Sequence, residues 1–291
     1  MTLVSWFGPV TVEGVGIHTG KPCRVTIESG RETRPGIRFI RDGISVPANT
    51  EYVIDTTRCT RLEADNTSVA TVEHLMSAFA GLGIDSADVH IDGPELPILD
   101  GSADAWVKVI SKSGIRRDGI EKAVQIPWSR LHSTPISEPI MVEGKNGSYI
   151  KATPSDKLRI TLSIIYDHPV IGTQTATFVE GEDDYEAEIA SARTFGLRSE
   201  VDALLAAGLA KGGSLDNAIV VEDDGYSTPL RFPNELARHK ILDLLGDLYL
   251  SGSLPRADII AVKPSHTLNV ALAAKLRAAE QLDKLLEAKS C

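Results

Sequence analysis

Apolar and polar positions change period several times along the chain, and these changes mark out its elements. Val10-Thr-Val12 alternates, Glu13-Gly-Val-Gly16 interrupts, and Pro22-Cys-Arg-Val-Thr-Ile27 alternates again, which predicts strand, turn and strand. Residues 36–40, 52–54 and 57–62 read as further strands, the last followed by the polar turn Glu63-Ala-Asp-Asn66. From Thr71 to Ala80 the apolar spacing becomes helical, with Thr71 placed to start the helix and Gly81-Leu-Gly83 to end it. Residues 86–91 return to a strand. Residues 93–102 form a proline-rich loop ending in a helix cap, and 103–113 a second helix with Trp106, Val107 and Ile110 on its core side.

Residues 116–128 are charged and then broken by proline, which places a boundary there. The programme then repeats. Strands are predicted at 140–142, 148–152 and 158–166, a helix at 199–208 and a strand at 218–221. A long helix follows at 234–250, with Pro233 before it and Ser251-Gly252 closing it. Leu236, Ile241, Leu244, Leu245 and Leu248 give that helix a buried stripe. A strand at 257–262 and a last helix from about 267 complete the chain, the end of that helix reading as a packed cap or partner contact. Strands, helix, strand and helix thus occur in each half. The expected fold is α+β, with two duplicated domains, 1–122 and 123–291, each a sheet packed on a helix layer. The active site is expected at their junction.

Composition narrows the function classes. The 291 residues carry a net charge of −10, which argues against a nucleic-acid partner. No run of 18 apolar residues occurs, so no membrane span is expected. The first residues lack a basic and then apolar leader, so no signal peptide is expected. Cys23, Cys59 and Cys291 are scattered, which fits a reducing compartment and neither a disulfide framework nor a zinc cluster. A cytoplasmic location follows.

Candidate chemistry is concentrated on the 234–250 helix. His239, Asp243 and Asp247 stand at i, i+4 and i+8, one above another on a single face. An imidazole and a carboxylate one turn apart can share a metal ion, and the next carboxylate can orient a neighbour. Lys240 adds a cation beside them. The helix predicted in the first half carries Glu73-His74 near its start. If the two helices face one another, His74, His239 and Asp243 supply three ligands and leave a fourth position open, as a catalytic zinc site requires. Glu73 would then act as general base on a water whose pKa the metal lowers to about 7. His266 is a candidate acid or oxyanion stabiliser with Asp247 as its partner, Thr194 a hydroxyl donor, and Phe195 a stacking surface. The bland alternative makes His74 and His239 core histidines satisfied by backbone. Gly14, Gly16 and Gly20 around His18 suggest a tight loop, in which His18 faces a ligand or bonds to backbone.

Six runs together carry a resemblance. They are Gly14-Val-Gly-Ile-His-Thr-Gly20, Thr71-Val-Glu-His-Leu75, Gly81-Leu-Gly-Ile-Asp85, Ile98-Leu-Asp-Gly-Ser102, Ala192-Arg-Thr-Phe-Gly196 and Arg238-His-Lys-Ile-Leu-Asp-Leu-Leu-Gly-Asp247. In this order, from about residue 5 to 275, the chain resembles the UDP-3-O-acyl-N-acetylglucosamine deacetylase family of lipid A synthesis. The resemblance implies hydrolysis of an N-acetyl group, with zinc, or Fe(II) in the cell, held by His74, His239 and Asp243. It implies Glu73 as base, His266 as the charged acid, Asp247 as its orienting partner, and Lys240 and Thr194 beside the reacting acetyl. Phe195, Leu62, His18 and Lys240 are the expected substrate contacts, and residues 193–220 the insertion that builds an apolar passage for the acyl chain. The expected partner is a small acylated UDP-amino sugar, met by a monomer in transient proximity to the membrane. The family usually has glycine where this chain has Ser265. Rival readings are a deacetylase of another amino sugar and a non-catalytic nucleotide-sugar binding module.

Overall fold

A computed structural model describes residues 5–6, 8–30, 36–114, 116–117 and 133–290. The boundary expected at 122/123 lies outside the described residues.

The first half is built on a five-stranded sheet and the second on a six-stranded one, in which Ser133–Pro135 pairs with Leu254–Val262 beside a path of five strands. In the first, Val10–Val15 pairs with Pro22–Ser29, which pairs with Ala87–Ile91, then Ile37–Arg41, then Ile44–Pro47. The second runs Ile140–Glu143, Tyr149–Pro154, Leu254–Val262, Arg159–Ile165, Thr173–Val179. Both place two hairpins on either side of the strand that comes last in sequence. The pairings also match in sense: antiparallel, antiparallel, parallel, antiparallel. Shared order and sense are the structural form of the repeated element programme, and the α+β class holds.

Helices α1 (Glu73–Leu82), α2 (Asp104–Lys112), α3 (Arg198–Ala206), α4 (Glu235–Tyr249) and α5 (His266–Ser290) lie near their predicted positions. No helix among the described residues is long and apolar enough to cross a membrane. The core is continuous across the two halves, and Leu236, Ile241, Leu244, Leu245 and Leu248 of α4 are all fully buried in it. Four polar residues of α4 are buried as well: Glu235, His239, Asp243 and Asp247 recur every fourth residue and none is more than 2% exposed. A helix wrapped by protein on both stripes must pair every polar group it buries. Arg193 answers Glu235, with Nε donating to Oε1 at 2.9 Å; the other three build the site.

Local departures from the sequence reading have physical causes. Thr71 does not start α1. Its φ is 58°, a left-handed conformation, and its hydroxyl donates to Glu95 Oε1 at 3.1 Å, while the helix begins at Glu73. The strand expected at 57–62 is Arg61–Ala64, paired with Thr67–Ala70 through Asp65 and Asn66, both at positive φ. That two-residue hairpin turn sets the register, so half of the polar run read as a turn, Glu63 and Ala64, is strand. The strands Ile44–Pro47 and Thr173–Val179 were not expected. Ile44–Pro47 is only four residues long and Thr173–Val179 opens with Thr-Gln-Thr, so neither shows a clear alternation.

Candidate active site

Helices α1 and α4 cross in close contact, and this crossing brings His74 to His239 and Asp243. The Oδ1 of Asp243 lies 3.6 Å from His74 Nε2 and 3.3 Å from His239 Nε2. The imidazole rings stand edge to face, with centroids 5.1 Å apart. All three residues are buried, and one ligand atom from each falls within 4.8 Å of the others. The donor set fits a metal ion on two further grounds. His239 Nδ1 contacts the Ala192 carbonyl at 3.0 Å, which fixes its proton there and leaves Nε2 bare toward the centre. Asp243 Oδ1 is buried without a hydrogen-bond partner, an expense that a cation shared with two imidazole nitrogens would remove. Burial pushes His239 down to about 3, against the pull of Asp243, so its imidazole is neutral. Burial opposes ionisation of Asp243, but His239 and Lys240 outweigh it and hold the carboxyl well below the usual range. A neutral imidazole and an ionised carboxylate are the ligand forms of both groups.

Beside this centre lies a proton-handling pair. Glu73 Oε2 accepts from Thr60 N–H at 3.0 Å, leaving Oε1 turned toward His266 Nε2 at 3.9 Å. His266 Nδ1 meets Asp247 Oδ2 at 2.8 Å. Burial raises Glu73 above its ordinary value, with His266 and His74 opposing. Burial alone would lower His266. The charge and hydrogen bond of Asp247 reverse that and raise it to about 9, so it is an imidazolium near neutrality. Both groups are thus pushed toward their protonated forms, Glu73 as a carboxylate made more basic and His266 as an imidazolium with a proton to give, the two partners that general acid–base work requires.

Of the remaining expected residues, Lys240 and Phe195 lie beside the centre. Lys240 Nζ donates to Asp243 Oδ2 at 2.9 Å and stands 5.6 Å from the Phe195 ring centroid. Burial opposes its charge, but Asp243 keeps Lys240 above its usual value. The Phe195 ring is 6.4 Å from that of His239 and 6.0 Å from Tyr166. Thr194 is fixed by its backbone, its N–H donating to the Gly101 carbonyl at 2.8 Å and its carbonyl accepting from Ile219 at 2.9 Å. His18 sits in a loop tied to buried Glu95, which accepts from the N–H groups of His18 and Thr19 at 2.9 and 2.8 Å. Burial lowers the His18 imidazole against the pull of Glu95, and Arg58, Arg61 and His266 lower it further. Its carbonyl accepts from Lys211 N–H at 3.3 Å, and Ile17 O from Gly212 at 3.0 Å, joining this loop to residues 211–212.

Leu62 corrects the expectation of a substrate contact. It is fully buried in the core, because Arg61–Ala64 turns Leu62 inward and Arg61 outward. Ser265 proves to be a helix cap: its Oγ accepts from Leu268 N–H at 3.4 Å and its carbonyl from Asn269 N–H at 2.8 Å. Sequence reasoning missed Thr60, Tyr166 and the part played by Asn269. Only Asn269 carried a signal, three residues after His266 on the first turn of a helix.

The family model for UDP-3-O-acyl N-acetylglycosamine deacetylase matches residues 7–278. The chain is 41% identical over 273 residues to the UDP-3-O-acyl-N-acetylglucosamine deacetylase of Nostoc sp., covering 91% of this chain and 94% of that protein. It is 39% identical to the same-named protein of Anaeromyxobacter dehalogenans, covering 92% and 85%, and 41% identical to that of Legionella pneumophila (strain Corby), covering 89% and 84%. With nearly all of its length matched, the chain belongs to the UDP-3-O-acyl-N-acetylglucosamine deacetylase family.

Proposed function

We propose that this chain hydrolyses the N-acetyl group of UDP-3-O-acyl-N-acetylglucosamine, giving the free amine and acetate, the committed step of lipid A synthesis. One observation carries the chemistry. Glu73 and His74, adjacent on α1, meet His239, Asp243 and the Asp247–His266 pair at one buried point.

In this reading His74, His239 and Asp243 hold a zinc ion, with Fe(II) the alternative in the cell. Such an ion supplies Lewis-acid polarisation of the acetyl carbonyl and a water acidic enough to be deprotonated near neutrality. Glu73 would act as the proton acceptor at Oε1, because Thr60 holds Oε2. His266 delivers a proton from Nε2 to the leaving amine nitrogen, its Nδ1 being held by Asp247. Lys240 and Thr194 border the acetyl group, and Lys240 places a positive charge where the carbonyl oxygen becomes negative. Phe195 and His18 contact the substrate. The acyl chain follows residues 193–220, where Phe195–Leu197 pairs with Ile219–Glu222 beside α3.

The reading divides the chain into domains 1–122 and 123–291, with the centre at their junction. It also takes the protein as a cytoplasmic monomer that meets the membrane only through its acylated substrate.

The test is acetate release from UDP-3-O-acyl-N-acetylglucosamine by metal-stripped protein, before and after one equivalent of zinc. Activity that returns with zinc supports reaction, substrate and metal together. Zinc that binds without acetate release refutes the substrate and directs attention to other acetylated amino sugars. Protein that binds no metal refutes the centre itself.

A further inference from the structure

We propose that Thr60 is a positioning residue for the hydrolysis, fixing both proton-handling side chains at once. It is fully buried and every polar group it has is engaged. Its N–H donates to Glu73 Oε2 at 3.0 Å, its hydroxyl donates to Asp247 Oδ1 at 2.6 Å, and its carbonyl accepts from Val72 N–H at 3.4 Å. The first bond reaches the base on α1 and the second reaches α4, so one residue of the first half holds a group in each. A hydroxyl bond to a carboxylate at that length is of the stronger, charge-assisted kind.

The consequence follows from what each carboxylate has left. Glu73 keeps only Oε1 for the cleft. Asp247 has both oxygens engaged: Thr60 bonds Oδ1, while His266 Nδ1 at 2.8 Å and Asn269 Nδ2 at 2.9 Å share Oδ2. Bonds to Oδ2 alone would let the carboxylate pivot about that atom and carry the His266 ring with it. The Thr60 hydroxyl closes that pivot, because turning Asp247 would leave a buried donor unpaired. The ring is then held with Nε2 facing Glu73 Oε1 at 3.9 Å, a gap across which both can reach a reacting group. Thr60 itself touches no reacting atom in this account.

This inference rests on the roles proposed above for Glu73, His266 and Asp247. The experiment compares Thr60→Val, which keeps the branched shape and the N–H but loses the hydroxyl, with Thr60→Ser, which keeps the hydroxyl. In Thr60→Val, kcat is expected to fall at least about tenfold with KM unchanged, the scale of one buried bond left unmade. Thr60→Ser should recover most of that loss. In an Asp247→Asn background the Val substitution should add little, since the path it acts through is already broken. The His266 Nδ1 proton, followed by NMR in wild type and in Thr60→Ala, should move as its partner loosens. That resonance offers a second reading if Thr60→Val does not fold. Unchanged kcat in folded Thr60→Val, a fully additive loss beside Asp247→Asn, or an unmoved His266 proton overturns the inference. If Asp247→Asn and His266→Ala themselves leave kcat intact, the proposed roles fail instead, and the two failures are distinct.

Discussion

Gly246 lies directly against the backbone of Glu73: a Cβ at Gly246 would stand 2.0 Å from the Glu73 carbonyl oxygen. The α1–α4 crossing is therefore as close as two helix backbones permit, and it sets how far His74 stands from His239 and Asp243. Gly246→Ala must push the helices apart, at about 1–3 kcal/mol for an overpacked contact. Turnover should fall further than stability, since the shift acts on the centre itself. Denaturant unfolding and kcat measured on one preparation check this, and wild-type values for both would show the crossing to be looser than described.

Glu73 and His74 are neighbours with different work, and metal content separates them. Glu73→Ala should retain the metal and lose nearly all turnover, because only a proton acceptor is removed. Asp243→Ala should lose metal affinity, because its Oδ1 is the atom between both imidazoles. Metal analysis after dialysis decides. Equal metal loss in both variants would end the assignment of separate roles.

The rate should depend on pH as a bell. Glu73 must be ionised to accept a proton. Its raised value puts the acid limb above the ordinary 4.5, and activity falls as pH drops through it. His266 must be charged, so activity falls as pH rises through about 9. The same shift has a stability sign. A folded value of about 9 against the ordinary 6.5 gives a contribution fully present below 6.5 and lost as pH rises through 9. In a pH series of kcat/KM, His266→Ala should remove the alkaline limb and keep the acid one. A flat wild-type profile would rule out the two-group mechanism.

Leu62→Ala distinguishes core from contact. Full burial predicts a stability loss of about 2–5 kcal/mol with KM unchanged in the protein that remains folded. A raised KM without loss of stability would return Leu62 to the substrate.

Most of the architecture was legible because it is written in local periods. The alternation in 10–27 and the helical stripe of α4 depend only on a face being buried, and a buried face leaves its period in the sequence. The strands Ile44–Pro47 and Thr173–Val179 were not legible, since the first is only four residues long and the second opens on the polar run Thr-Gln-Thr. Thr71 shows a different limit. Its type suits a helix start, yet a buried carboxylate 24 residues away, Glu95, took its hydroxyl and turned its backbone left-handed.

The sequence by itself determined which side chains could act together along one helix, because His239, Asp243 and Asp247 share a face through helix geometry alone. It also determined the family, through runs held in order along the chain. Tertiary structure decided what no spacing contains: that His74 closes to 3.6 Å from Asp243, that Thr60 ties Glu73 to Asp247, and that Leu62 turns inward. Each of these depends on where two distant segments cross or pair. Such a crossing is set by the packing of the whole core around Gly246 and its neighbours, and no local stretch of sequence carries it.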